Sequence, residues 1–313
     1  MQVANGMSPL DTHFFSDSFT NSLSLPAALD PSFEDALHHV LRNPGSLVRP
    51  RLIFQMATAY GLNPTNAEQL AVALEYFHTA SLLFDDLPCM DNALERRGVP
   101  CTHLVFGEEG AILTALALIN RAYALTWRAV AGSPHDSRQR ALDFVEQCLG
   151  VEGLLNGQSL DLHFSALPRT RETTEHIARG KTVSLVRLTL VLPAMLGGAS
   201  ARELQLIERI SNFWGLSYQI VDDLKDVLQS TAQTGKTCAR DTLLGRPNIA
   251  AVIGIPAAAE RLTRYIALGD RVLRRLLAAR PELEFLETLR ARLEEELSQV
   301  MDDSCALVGA AEL

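Results

Sequence analysis

A chain of 313 residues with 47% hydrophobic and 21% charged side chains is globular, long enough to bury a large core, and not disordered. Its formal charge of -9 excludes nonspecific attraction to nucleic acid. Five scattered cysteines (Cys89, Cys101, Cys148, Cys238, Cys305) follow no metal-ligand spacing, and their odd number excludes a complete disulfide framework, so we expect free thiols in a cytoplasmic protein.

Residues 1–30 are polar and rich in Ser, Asn and Asp, with Phe14, Phe15 and Phe19 among them. They lack a basic start followed by an apolar core and so do not read as a secretory signal. We take them as a flexible segment ahead of a single all-α domain over 31–313. Leu, Ala, Glu and Arg recur at helical spacing and predict helices over 66–87, 108–131, 137–163, 171–196, 201–229, 257–279 and 282–301. Pro64, Pro100, Pro134, Pro168, Pro256 and Pro281 mark the breaks. No alternating strand of useful length is visible. Several helices are apolar nearly all round, as expected at the centre of a large bundle with an internal cavity. The apolar run nearest to a membrane span, 185–197, falls short of the ~20 residues required and contains Arg187 and Pro193, so no span is expected.

Two acidic clusters interrupt this pattern: Asp85, Asp86 and Asp91 after the apolar run 80–84, and Asp222, Asp223 and Asp226 after 213–221. Gathered carboxylates repel one another unless positive charge sits among them. Oxygen ligands without clustered His or Cys favour a hard ion such as Mg2+, which keeps waters and shares its coordination with phosphates. The pattern therefore predicts a diphosphate held through metal between two acidic helices. Arg49, Arg96, Arg97, Lys181, Lys236 and Arg246 form a cationic set for phosphate oxygens that the metal does not reach. At 3.6 residues per turn, Gln219, Asp222, Asp223 and Asp226 share one helix face, and Lys225 points elsewhere. Asp85 and Asp91 are six apart and share no face on an ideal helix. Pro88 between them should end the helix and let Asp91 fold back towards Asp85.

The stretch HTASLLFDDLPCMDNALERRG (78–98), GQSLDL (157–162), Lys181-Thr182, and GLSYQIVDDLKDV (215–227) followed by Gly235-Lys236 resemble the trans-isoprenyl diphosphate synthases. Within them the chain is most similar to bacterial geranylgeranyl diphosphate synthases of carotenoid-pathway type. The resemblance implies an all-α homodimer that joins an allylic diphosphate to isopentenyl diphosphate head to tail, with three Mg2+ ions bound alongside the allylic diphosphate. It implies Mg2+ binding by Asp85 and Asp91 from one side and Asp222 from the other, with Asp86, Asp223 and Asp226 completing the shells. Arg96, Lys181 and Lys236 would clamp the allylic diphosphate, and Arg49, His78 and Arg97 that of isopentenyl diphosphate. Thr182 and Gln219 would stabilise the allylic cation. No side chain stands out as a base, so the departing diphosphate would take the proton. Small residues at Ala80 and Ser81, with Phe77 as the floor, imply a geranylgeranyl product.

Three positions depart from the family pattern. Ser46 replaces the lysine of the family's GKRLRP, while Arg49 remains; one lost charged hydrogen bond is worth roughly 1.5–3 kcal/mol. Arg246 replaces a late lysine, with Ala239 for a glycine before it, and 115–119 lacks the acid of GDALL. Farnesyl synthesis, a terpene cyclase on the same fold and a noncatalytic partner subunit are the competing readings. Arg49, His78 and Arg97 favour elongation, since a cyclase has no use for them.

Overall fold

The computed structural model describes residues 12–228 and 244–311, with side chains over 13–228 and 244–299. The predicted Lys236 lies outside the described residues. In chain order the elements are α1 (Thr12–Asn21), α2 (Pro31–Leu41), α3 (Val48–Ala59), α4 (Pro64–Asp85), β1 (Glu95–Arg96), β2 (Val99–Pro100), α5 (Thr102–Val130), α6 (His135–Leu149), α7 (Leu154–Leu162) and α8 (Arg171–Ala178). A π-helical turn, Arg179–Val183, leads into α9 (Ser184–Leu196), α10 (Ala201–Leu228), α11 (Ile249–Ile253), α12 (Ile255–Ala279) and α13 (Leu286–Ala311). The all-α expectation holds, with the β1–β2 pair as the small exception among the described residues.

Local chemistry explains most boundaries. Asp30 and Asn63 accept hydrogen bonds from the backbone N–H of Phe33 and Asn66, and Pro31 and Pro64 follow in the first helical position, so α2 and α4 start on side-chain caps. Two predicted helices are each split. The segment 137–163 breaks between α6 and α7, where a Cβ on Gly153 would lie 2.2 Å from the carbonyl oxygen of Cys148. The segment 171–196 breaks at the π-helical turn. Helical spacing survives across both interruptions, and so it does not reveal them.

Internal contacts divide the chain into two compact units, Met1–Ala141 with Pro193–Gly198, and Leu142–Leu192 with Ala199–Leu313. In the first, α4 packs between α3 and α5, and α2 packs on α5. The segment read as flexible contributes α1, whose Phe15 and Phe19 are buried against Phe54 and Tyr76, and the Tyr76 hydroxyl donates to the Phe19 carbonyl. Phe14, Phe15 and Phe19 are thus the apolar face of a docked helix, too short a pattern to stand out beside its polar neighbours. In the second unit α10 is the central helix, packed on α12, α13 and the π-helical turn.

Candidate active site

In the first unit the site is built on the end of α4. This 22-residue helix is buried on most sides and stops at Asp85, three residues before Pro88. The loop then closes on itself. Asp91 N–H donates to the Asp85 carbonyl at 2.9 Å, and Ala93 N–H to that of Asp86 at 3.1 Å. Asp91 thus folds back to Asp85, as the proline suggests. Both carboxylates are half-buried, whereas Asp86 is only 3% exposed and engages Arg96, with Nη2 2.6 Å from Oδ1 and Nε 3.1 Å from it. This close charged pair neutralises one of the three acids within the protein itself.

Arg96 and Arg97 are set by the hairpin. Arg97 and Gly98 form its two-residue turn, both with positive φ (56° and 78°), which matches the twist of tightly paired strands. Arg97 Nη1 donates to the Asn43 carbonyl at 2.9 Å, and Nη2 lies 3.6 Å from Glu75 Oε1. Gly45 (φ 76°) is pressed against the same guanidinium, since a Cβ there would be 2.5 Å from Arg97 Nε. Glu75 and His78 share the face of α4 near Arg97 and Arg49. Burial lowers the His78 pKa well below its usual value, and Arg49, Arg97 and Arg96 push it the same way, so the ring is neutral at pH 7. Burial raises Glu75 to about 7, against the pull of Arg49 and Arg97. Sequence reasoning missed Glu75; the signal was a lone acid inside the otherwise apolar 70–77. Ser46 is exposed, and Arg51 donates to the carbonyls of Ser46 and Leu47, which ties it to the loop backbone.

In the second unit the site is built where α7, the π-helical turn and α10 meet. A Cβ on Gly157 would lie 2.4 Å from Lys181 N, and one on Gly180 would lie 2.8 Å from Gly157 Cα, so only glycines allow this approach. Lys181 Nζ is 3.3 Å from Asp161 Oδ2, and Arg246 Nε is 3.8 Å from the same oxygen. Asp161, within the GQSLDL stretch but given no role from sequence, is the carboxylate that orders both cations. Thr182 donates to Gln219 Oε1, and Gln219 Nε2 donates to Asp223 Oδ1 at 2.7 Å.

The second acidic cluster divides as the first does. Asp223 is 1% exposed; its Oδ2 accepts from Ile249 N–H at 2.7 Å, and its carbonyl accepts from Asn248 Nδ2 at 2.9 Å. It thereby anchors the start of α11. Asp226 is buried, and Asp222 is half-buried. Lys225 points away from the cluster and pairs with Glu296 of α13. Among the described residues no three His, Cys, Asp or Glu side chains form a metal cage of their own. Half-buried Asp85, Asp91 and Asp222 still suit Mg2+, which takes one or two carboxylates and completes its shell with water and substrate phosphate. Phe77 and Ala80 are buried on α4, Phe77 stacks edge-on against Tyr123 of α5, and Ser81 donates to the His78 carbonyl.

Residues 30–271 match the family model for polyprenyl synthetases. The chain is 35% identical over 257 residues to the putative geranylgeranyl pyrophosphate synthase 8 of Arabidopsis thaliana, covering 77% of this chain and 71% of that protein. It is 34% identical to the geranylfarnesyl diphosphate synthase of Leucosceptrum canum, covering 77% and 68%. The crystal structure of a geranyltransferase from Helicobacter pylori, complexed with magnesium and isoprenyl diphosphate, superposes with a TM-score of 0.76 at 25% identity over 93% of each chain.

Proposed function

The chain belongs to the polyprenyl synthetase family, and we propose from this that it is a Mg2+-dependent prenyltransferase making geranylgeranyl diphosphate from isopentenyl diphosphate and an allylic diphosphate. The observation that carries the reading is the setting of the two acidic clusters: each ends a buried helix, with Asp86 paired to Arg96, Asp223 bonded to Ile249 N–H, and half-buried Asp85, Asp91 and Asp222 beside them. When bound, Mg2+ supplies Lewis-acid stabilisation of the charge that develops on the leaving diphosphate. Arg96 and Lys181 hold the allylic diphosphate with fixed positive charge, the first oriented by Asp86 and the second by Asp161. Lys236 is assigned there from the family pattern, and Arg246 adds charge beside Lys181. Arg49, neutral His78 and Arg97 bind isopentenyl diphosphate. Thr182 and Gln219 orient each other, so that their oxygens can face an allylic cation. Burial of the apolar residues along α4 keeps water from quenching it.

Retention of Arg49, His78 and Arg97 separates this reading from a cyclase. A farnesyl product is the alternative length, and Ala80 and Ser81 favour the longer one. α5 carries exposed Leu113, Leu116, Tyr123 and Trp127 along one stripe, which supports a homodimer through this helix. Free thiols at Cys89, Cys101 and Cys148 support a cytoplasmic setting.

The test is a product assay with Mg2+ and isopentenyl diphosphate, with dimethylallyl, geranyl and farnesyl diphosphates offered separately. Chains ending at twenty carbons support the reading. Hydrocarbon or alcohol without elongation would replace it by the cyclase. Ala80→Phe should shorten the product in the same assay, and an unchanged product distribution would show that the tail does not pass Ala80.

A further inference from the structure

Glu75 lies in the middle of the cationic group on the first unit, and the reaction as described gives it no task. It is 2% exposed, its Oε1 is 3.6 Å from Arg97 Nη2, and its Oε2 has no hydrogen-bond partner among the described residues. Arg97 is held from three directions, by the Asn43 carbonyl, by the close approach of Gly45 and by Glu75. The charged groups acting on Glu75 are Arg49 at the start of α3 and Arg97 in the hairpin turn. On its own helix His78, one turn further on, stays neutral, with Nδ1 buried and lacking a partner among the described residues. Arg96 is paired with Asp86, Arg121 of α5 acts on Tyr76, and the contact from α1 meets α4 two turns earlier, at Glu68.

One buried carboxylate is therefore stabilised by two guanidinium groups that the proposed function assigns to a diphosphate. We infer that Glu75 is a positioning residue for Arg97 and that it takes up a proton from solvent when isopentenyl diphosphate binds to Arg49 and Arg97. The physical reason is competition for the same cations. An arriving diphosphate brings several negative charges to Arg49 and Arg97, and a buried carboxylate beside them then faces like charge at low dielectric. Protonation removes the repulsion and turns Oε2, which has no donor to accept from, into a donor itself. The step is a protonation alone: carboxylate plus one solvent proton gives carboxylic acid, and no other bond changes. Because burial already places Glu75 near neutrality, a modest further shift moves a large fraction of a proton.

The inference rests on the assignment of isopentenyl diphosphate to this half-site, and the experiment separates the two. Isopentenyl diphosphate is titrated calorimetrically into wild-type protein and Glu75→Gln at pH 8, where the ligand is fully ionised, in two buffers of different ionisation enthalpy. Wild type should take up roughly half a proton per ligand bound, and Glu75→Gln none. Between pH 7 and 9 wild-type affinity should fall by up to about tenfold, while the variant stays flat. Infrared difference spectra of the wild type should gain a protonated-carboxyl C=O band on binding, a readout that does not depend on the variant folding. Binding without proton uptake, or equal uptake by Glu75→Gln, overturns the inference and leaves prenyl transfer standing. Failure of the wild type to bind isopentenyl diphosphate removes the half-site assignment and the inference together.

Discussion

Asp223 accepts from Gln219 Nε2 and Ile249 N–H inside the protein, whereas its neighbour Asp222 is half-buried at the same end of α10. The two substitutions should therefore behave differently. Asp222→Ala is expected to abolish Mg2+-dependent turnover while the urea midpoint stays near that of wild type. Asp223→Ala strands a buried amide donor and should lower unfolding free energy by roughly 1.5–3 kcal/mol. Urea denaturation beside turnover checks both, and full activity of Asp222→Ala would remove the metal role. Glu75 makes a second prediction. Its folded pKa of about 7 exceeds the ordinary 4.5, so the folded state binds the extra proton between those values. Stability from this group is complete below about pH 4.5 and is lost as pH rises towards 7, by about 3 kcal/mol. His78, with its pKa lowered, has the opposite sign and loses stability as pH falls below 6.5. Comparison with Glu75→Gln cancels the histidine, so denaturation curves should show wild type more stable relative to the variant at pH 5 than at pH 8, by roughly 2–3 kcal/mol.

At the scale of elements, the crossing of α7 and the π-helical turn decides where Lys181 and Thr182 stand. Gly157→Ala places a methyl 2.4 Å from Lys181 N, a clash with backbone that no rotamer relieves. It should cost about 1–3 kcal/mol of stability and lower turnover more than tenfold, because the shift moves Lys181 from Asp161. Thermal melts alongside kinetics test this, and wild-type values in both would show the crossing to be loose. The residue pair GQ is legible as a motif, but its reason is not, since contact between Gly157 and Gly180 joins positions 23 apart. A helix end just before Pro88 was readable, although α4 stops at Asp85 rather than at the predicted 87, and the return of Asp91 was readable too. The start of α5 was not. The helix begins at Thr102, six residues before the predicted 108, and runs through a kink at Gly107 (φ 77°). A glycine with positive φ breaks the hydrophobic period without ending the helix.

On the scale of the molecule, α5 is the described helix long and apolar enough to cross a membrane by length and composition, with a third of its most apolar window buried. The apolar run nearest to a span on the sequence is 185–197, whereas α5 qualifies because its helix continues over 29 residues, Thr102–Val130. The apolar residues of α5 fall on two faces. Ala111, Ala115, Leu118, Ala122 and Leu125 are buried, and Leu113, Leu116, Tyr123 and Trp127 are about half exposed. The second stripe fits the proposed homodimer. Leu116→Glu with Trp127→Glu should convert a dimer to a monomer by light scattering, and an unchanged mass would place the interface elsewhere. Sequence by itself determined the helical class, the two acidic clusters, their basic companions and the family, because these depend on spacing along a single helix or on motif order. Tertiary structure alone decided which carboxylates are consumed inside the protein, that Asp161 and Glu75 order the cations, and that Phe15 and Phe19 anchor a docked helix. Those outcomes depend on groups from distant elements competing for the same charge or the same buried volume, and no spacing along one chain records such a competition.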